Sequence, residues 1–324
     1  MTALAPDTLG PTICAGEILV EIVATTVGDG FRDSQPLIGP FPSGAPAIFI
    51  DQCGRIGGSA AMIGAVGDDD FGFVNTDRLK RDGVDTSAVS VDPKLPTGSA
   101  FVRYKNDGSR DFVYNIGTSA AAQFGWTSTV ETLVNRSGHI HIMGSALSMP
   151  SAWDVIEKAI NVIKAREGTV SLDPNLRKEL KYDAETEARF ARIVGMSDLL
   201  LPSGEELELA AGVDGEEAAV ARLFELGVKE IALKRGAEGA TCFLADGSRY
   251  DAPAFEVDEL DPTGAGDCFG GAYVACRRLG MPVENSLAYG CAAGARNVTF
   301  LGPMEGAGTR ADLDDFIKTT KRFN

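Results

Sequence analysis

Asp261 and Asp267 bracket Pro262-Thr263-Gly264-Ala265-Gly266, and two carboxylates around a glycine turn are the strongest chemical signal in the chain. An acidic extended run, Phe255 to Leu260, precedes the turn, and Ala272 to Leu279, stopped by Gly280, reads as the body of a helix. Glycines at 264 and 266 let the backbone aim its N–H groups at one point, because no Cβ blocks an approaching ligand. At a helix N-terminus such a concavity attracts anions. Asp267 stands on its rim, where a carboxylate repels the phosphate that the amides attract. Two roles resolve this. One is a helix N-cap, worth about 0.5–2 kcal/mol; the other is a base that takes a proton from an attacking hydroxyl while the turn holds a phosphoryl group. Gly270 and Gly271 lie inside the helix and each costs about 1 kcal/mol against Ala, so their backbone is expected to come very close to something.

Asp261-Pro262-Thr263-Gly264-Ala265-Gly266-Asp267-Cys268-Phe269-Gly270-Gly271 resembles the C-terminal signature of the ribokinase-like (PfkB-type) carbohydrate kinases, D-[TP]-T-G-A-G-D-x-F-x-G. The resemblance makes Asp267 the catalytic base and the Gly264-Ala265-Gly266 backbone the anion hole. It places a monovalent cation such as K+ at the Asp261 carboxylate and the Thr263 carbonyl. The cosubstrate it implies is ATP with Mg2+, and the acceptor is a sugar.

Further motifs extend the likeness. Gly16-Glu17-Ile18-Leu19-Val20-Glu21 is similar to the family's G-E-x-L-[IV]-D, whose last acid contacts sugar hydroxyls, which puts Glu21 at the sugar. Both acids interrupt an apolar run from Ile13 to Val27 that reads as one buried strand, where a carboxylate is costly unless it binds something. Ser43-Gly44-Ala45-Pro46-Ala47-Ile48 keeps only Gly44 of the family's G-G-x-x-x-N. The missing Asn makes ribose a poor fit, and Asp51 or Gln52, on one face of the following helix, can supply polarity at the sugar instead. Ser59 to Gly72 matches x-x-G-x-V-G-x-D-x-x-G as a strand and an acidic turn that caps the next helix.

Thr97 to Ile116 reads as a β-hairpin with Asp107-Gly108 in its turn. In the resembled family this hairpin belongs to a small sheet that closes over the sugar and pairs subunits. Arg103 is the substrate-binding candidate on it; Arg110 and Tyr114 are within reach of the sugar or pair at the surface. His139 and His141 share one strand face, with no third ligand nearby to make a zinc site. Asp173-Pro174-Asn175-Leu176-Arg177 resembles D-x-N-x-R beside the phosphate path, with Asn175 and the forked Arg177 on the nucleotide side. Ser203 and Glu206 stand at the family's N-x-x-E, and Glu206 is placed on the water shell of Mg2+. Lys234, Arg235, Gly236 and Gly239 form the turn expected near the nucleotide phosphates, and Asn297 is expected near the purine.

Strands alternating with helices along the chain position these residues in an α/β fold with a central, mostly parallel sheet flanked by helices. Ligands then bind beyond the strands' C-terminal ends. The expected organisation is one ribokinase-like domain over 1–324, its small β-sheet lid drawn from about 22–42 and 97–117. Thirty basic against 46 acidic residues, a net charge of −16, argue against nucleic acid or an anionic membrane as partner. Six cysteines without C-x-x-C pairing read as buried hydrophobes in a reducing, cytoplasmic compartment. The N-terminus has no signal-peptide character, and no apolar run reaches the roughly 18 residues of a membrane span.

The implied activity is transfer of the ATP γ-phosphoryl group to a primary hydroxyl of a hexose or ketohexose, tagatose- or fructose-like, by a homodimer joined through the lid. The alternatives are a 2-keto-3-deoxygluconate kinase, with a lid arginine on the substrate carboxylate, and a catalytically silent sugar-binding protein. A nicotinamide dehydrogenase needs G-x-G-x-x-G after the first strand, and only Gly16 lies there. The G-x-x-x-x-G-K-[ST] of a P-loop kinase is absent.

Overall fold

The computed structural model describes residues 3–107, 109–175 and 183–323. Along the chain run β1 (Thr12–Ala15), β2 (Leu19–Ala24), β3 (Leu37–Ser43), α1 (Ala45–Arg55), β4 (Ala60–Gly67), α2 (Asp70–Arg81) and β5 (Val84–Asp92). Then come β6 (Gly98–Tyr104), β7 (Arg110–Asn115), α3 (Ser128–Arg136), β8 (His139–Met143), α4 (Pro150–Lys164) and β9 (Thr169–Asp173). The last part holds α5 (Ala184–Val194), β10 (Leu199–Leu200), α6 (Glu206–Ala211), α7 (Glu216–Glu225), β11 (Glu230–Lys234), β12 (Ala240–Leu244) and β13 (Arg249–Ala252). Helices α8 (Ala265–Arg278), α9 (Val283–Asn297) and α10 (Arg310–Thr319) close it.

The large sheet has the order β13-β12-β11-β10-β9-β8-β1-β4-β5. Its pairs from β11 to β5 are parallel, and β12 and β13 add an antiparallel edge. Strands β1, β4, β8 and β9 are buried along their whole length, as strands covered on both faces by helices must be. Period-two alternation divides the core accordingly: Cys14 packs in one apolar cluster, with Phe49 and Phe269, while Ile13 and Ala15 pack in another, with Leu133 and Ile156. The fold is α/β, a large and mostly parallel sheet covered by helices.

A second sheet, in the order β3-β2-β6-β7, pairs β2 with β6 in parallel and its outer strands antiparallel. The single strand expected from Ile13 to Val27 is therefore two strands in two sheets, broken at Gly16-Glu17-Ile18. A Cβ at Gly16 would stand 2.5 Å from the Pro46 ring, so the chain can turn there only with glycine. The expected hairpin is β6–β7, in which Tyr104 faces Arg110 directly across the ladder. The acidic turn after β4 caps α2, with Gly72 N–H donating to Asp69 at 2.8 Å.

His139 and His141 are fully buried, and the hydroxyls of Thr169 and Ser171 lie within 2.8 Å of their ring nitrogens. Phe49 stacks on His141 at 3.6 Å, and burial drives both imidazoles well below the usual histidine range, so they serve as neutral core groups.

The approach expected of Gly270 and Gly271 is made by α1. A Cβ at Gly271 would lie 2.3 Å from the Phe49 carbonyl oxygen, and one at Gly270 would touch the Phe49 ring at 3.3 Å. This contact sets how far α8 sinks against α1, and so where its N-terminus ends. Gly271→Ala is expected to destabilise the protein by about 1–3 kcal/mol through overpacking, read as a lower Tm with an unchanged circular dichroism spectrum.

Candidate active site

The turn before α8 is fixed by close contacts. Gly264 adopts φ +80, and a Cβ there would lie 2.2 Å from the Pro303 carbonyl oxygen, so only glycine fits. Helix α8 starts at Ala265 with Gly264 as its N-cap residue, and no side chain caps it. Asp267 is thus not the N-cap. It lies in the first helical turn, 4 % exposed, and accepts a 2.9 Å hydrogen bond from the Asn175 side-chain amide. Ala265 N–H donates to the Pro262 carbonyl at 3.4 Å, and the N-terminal end of α8, uncapped by any side chain, is where the helix dipole favours an anion.

Strand β9 ends in Asp173, whose carboxylate is 1 % exposed and pairs with Lys234 from the end of β11 at 2.5 Å. Asn175 follows in the left-handed region, φ +37, which asparagine tolerates, and this aims its amide at Asp267. Burial pushes the Asp173 carboxyl upward, Lys234 pulls it down, and the nearby Glu206 and Asp267 push it up again. Burial works against the Lys234 ammonium too, yet Asp173, Glu206 and Asp267 together hold it above the ordinary lysine value. A Cβ on Gly266 would lie 3.5 Å from the Lys234 nitrogen, so the ammonium sits directly under the turn.

Three concave spaces meet here. An inner cavity is lined by Glu17, Glu21, Ser43, Gly44, Ser145 and Thr263, with small-sheet aromatics above it. A central space is lined by Gly264, Gly266, Asp267, Lys234, Glu206 and Arg110. An outer cleft runs past Ser203, Lys234, Arg235 and Gly236. Thr263 is common to the first two, and Ser203 and Lys234 to the last two, so the three form one path with the turn at its centre.

The structure brings many of the sequence candidates together on this path. Glu21, 3 % exposed, and Gly44 both line the inner cavity. Ser203 donates its N–H to Glu206 at 2.7 Å. Arg235 lines the outer cleft while bonded to Glu216 at 2.8 Å. Arg177 lies outside the described residues.

Other candidates are placed elsewhere. Asp51 is fully buried on α1 and faces Arg78 at 3.2 Å, away from the cavity; burial pushes it up to about 7 despite Arg78, and Asp82 adds to the rise. Its helix-face partner Gln52 spends its amide on the Gly308 backbone, at 2.8 Å to the carbonyl and 3.0 Å from the N–H. Arg103 points away from the cavity and holds the 26–30 loop through the carbonyls of Thr26, Asp29 and Gly30. Arg110 is the hairpin arginine that reaches the turn, donating to the Thr263 hydroxyl at 2.9 Å. Gly239, φ +98, is glycine because a Cβ would meet the Ala252 carbonyl at 2.0 Å, and it does not line the cleft. Asn297 is fully buried and donates to the Thr263 carbonyl at 2.8 Å, bracing the turn from behind. Asp261 accepts from the Tyr104 hydroxyl, from Thr263 N–H at 2.9 Å and from Gly302 N–H at 3.0 Å.

Glu17, marked in the sequence as an acid interrupting an apolar run, accepts from Ser145 at 2.8 Å. Sequence reasoning passed over Ser145, whose segment carries no motif, and Phe112. Phe112 stacks at 5.2 Å on Tyr114, a residue the sequence did put within reach of the sugar, and both line the cavity from β7. Among the described residues, no three acidic, histidine or cysteine side chains come together to hold a bare metal ion. Nor is any described helix long and apolar enough to cross a membrane.

The family model for the pfkB family carbohydrate kinases matches residues 14–309. The chain belongs to that family. Fructokinase-1 of Oryza sativa subsp. japonica is 29 % identical over 310 residues, which cover 92 % of this chain and 94 % of the relative. The 2-dehydro-3-deoxygluconokinase of Thermoproteus tenax is 31 % identical over 317 residues, covering 94 % of each. A candidate ribokinase II of E. coli, solved in complex with ATP and Mg2+, superposes with a TM-score of 0.89 at 41 % identity, over 95 % of this chain and 99 % of that one. The protein is a sugar kinase.

In this kinase Glu21 and Asp51 make a contrasting pair. Glu21→Gln is expected to raise the sugar KM about tenfold or more, the worth of one charge-assisted hydrogen bond. Asp51→Asn is expected to lower Tm while leaving that KM unchanged, and steady-state kinetics with thermal melts check both.

Proposed function

We propose that the kinase transfers the ATP γ-phosphoryl group to a primary hydroxyl of a neutral hexose or ketohexose, fructose- or tagatose-like. The whole chain acts as one kinase domain, with the four-stranded sheet as the lid. The observation that carries the reading is the continuous path: an acid-lined inner cavity, the glycine turn with Asp267, and an outer cleft floored by Lys234 and Ser203. A sugar fits the first, a nucleotide the last, and the transferring phosphoryl group the space between.

In the proposed step the sugar oxygen attacks the γ-phosphorus, the bond to the ADP oxygen breaks, and the hydroxyl proton passes to Asp267. The Asn175 amide orients the carboxylate for that transfer. The α8 N-terminal amides take the charge that moves onto the phosphoryl oxygens, and Lys234 stands beneath them. An aspartate is a weak base for a resting alcohol, with an ordinary pKa near about 3.9. It serves when the proton leaves late, after the oxygen has become acidic by bonding to phosphorus. The oxygen ligands Asp173 and Glu206 suit Mg2+ held through its own waters, where the ion would screen the phosphates.

Fructokinase relatives support the hexose reading, and the T. tenax relative supports a keto-deoxy acid. The inner cavity favours the first. Glu17 and Glu21 line it, and none of the described lining residues is basic, so an acidic sugar meets like charge there. A silent sugar binder is disfavoured by the intact turn and its oriented Asp267. The exposed apolar side chains Val27, Leu37, Ile38 and Val113 on and beside the small sheet support a homodimer formed through it.

Asp267→Asn is expected to cut kcat by about 100- to 10,000-fold while ATP still binds. The check is a coupled ADP-release assay across ketohexoses, aldohexoses, pentoses, keto-deoxy acids and nucleosides, with ATP binding measured by calorimetry. Near-normal turnover in the variant removes Asp267 as the base.

A further inference from the structure

Asp261 is fully buried, and among the described residues no cation pairs with it. A buried carboxylate needs compensation, and here it comes through a directed chain of hydrogen bonds. Arg110 donates to the Thr263 hydroxyl at 2.9 Å, that hydroxyl lies 3.3 Å from the Tyr104 oxygen, and the Tyr104 hydroxyl donates to Asp261. Each hydroxyl can accept from one neighbour and donate to the next, so the chain runs in one sense from guanidinium to carboxylate. Tyr104 and Arg110 are cross-strand partners in β6–β7, and one element of the small sheet thus delivers both to the turn.

Family resemblance assigns the Asp261 carboxylate and Thr263 carbonyl to a monovalent cation, and four hydrogen bonds already compete with an ion for their lone pairs. One Asp261 oxygen accepts from Tyr104 and Thr263 N–H, the other from Gly302 N–H, and the Thr263 carbonyl accepts from Asn297. A cation needs oxygens whose lone pairs face it, and a guanidinium three hydrogen bonds along the chain from Asp261 repels it. We propose that Tyr104 and Arg110 take the place of a monovalent cation at the Asp261–Thr263 turn, so that closure of the small sheet, not an ion, braces the anion hole. Both are positioning residues. The inference rests on the sugar-kinase reading of the turn.

The test compares KCl with choline chloride at equal ionic strength, in the full-length protein, by kinase assay and by thermal melting. Wild-type kcat and Tm are expected to be the same in both salts. Tyr104→Phe and Arg110→Ala are expected to lose about tenfold or more of kcat in choline chloride, with a smaller change in sugar KM. KCl is expected to restore Arg110→Ala in large part, and Arg110→Lys is expected to retain activity without it. A wild-type kcat or Tm that rises with KCl overturns the proposal, as does an Arg110→Ala enzyme of full activity in choline chloride. A loss in Arg110→Ala that KCl leaves unrepaired overturns it as well, because the arginine then acts on substrate and not in the place of an ion. If the wild type phosphorylates no sugar in either salt, the kinetic reading of the turn is what fails, and the Tm comparison still decides whether an ion binds.

Discussion

The Asp261 carboxylate is the constraint on which the rest of the site depends. It is out of water entirely, so its hydrogen bonds have to be made, and each is made to a different part of the chain: Thr263 in the turn, Gly302 after α9, and Tyr104 in the small sheet. Satisfying one buried charge therefore fixes three segments relative to one another. The Asn297 amide on the Thr263 carbonyl and the close contact of Gly264 with Pro303 tighten the same knot from behind. With the turn held this way, α8 can begin only where its first-turn amides face the central space. The position of the helix along its axis is set farther down, by the contact of Gly271 with the Phe49 carbonyl.

A chain with a net charge of −16 has to receive a polyanion at a place where its own carboxylates gather. Asp173, Glu206 and Asp267 all border the central space. Fixed dipoles solve part of this, because backbone amides carry no counter-charge and are already oriented when the ligand arrives. Lys234 solves another part. Burial alone would favour its neutral form, but the surrounding carboxylates keep it protonated, so the acids that repel the ligand also maintain the cation that attracts it. The arrangement is a balance of near neighbours over a few ångströms, and the global field of the protein has little part in it.

How much of this was legible in the sequence follows from how local each piece is. The turn, Asp267 and the glycines are contiguous, and a backbone conformation that only glycine adopts leaves its mark in the residues themselves. Strand–helix alternation gave the large sheet for the same reason. What failed depends on partners far away in sequence. Asp51 looked like a spare polar group for the sugar because nothing in 43–52 announces Arg78, 27 residues on, as its partner. Arg103, between Val102 and Tyr104, and Arg110, between Ser109 and Asp111, stand on one hairpin, and neither set of flanks says which one reaches Thr263 and which braces the 26–30 loop. Asn297 was placed at the purine from its position at the end of a helix, but its amide belongs to a carbonyl 34 residues earlier. The break of the first strand at Gly16 was hidden because both halves are apolar, and an apolar run does not say to which of two sheets it belongs.

That break has a functional consequence. Ala15 ends β1 in the large sheet and Leu19 begins β2 in the small one, so Glu17 lies in the link between them and Glu21 just inside β2, both lining the same cavity. A carboxylate at a seam can contact a ligand enclosed between the sheets without being placed in either core. Hydroxyl groups of a neutral sugar can satisfy both acids as donors, whereas a substrate carboxylate adds a third negative charge to the same enclosed space. Ser145 already donates to Glu17, which leaves that acid as an acceptor and fixes its direction. On the proposed reading, discrimination between neutral and acidic sugars is exerted at the junction of the two sheets, and the small sheet that would cover the sugar is the one that carries Tyr104 and Arg110 to the turn. Substrate choice and the bracing of the turn would then be mechanically joined through that one sheet.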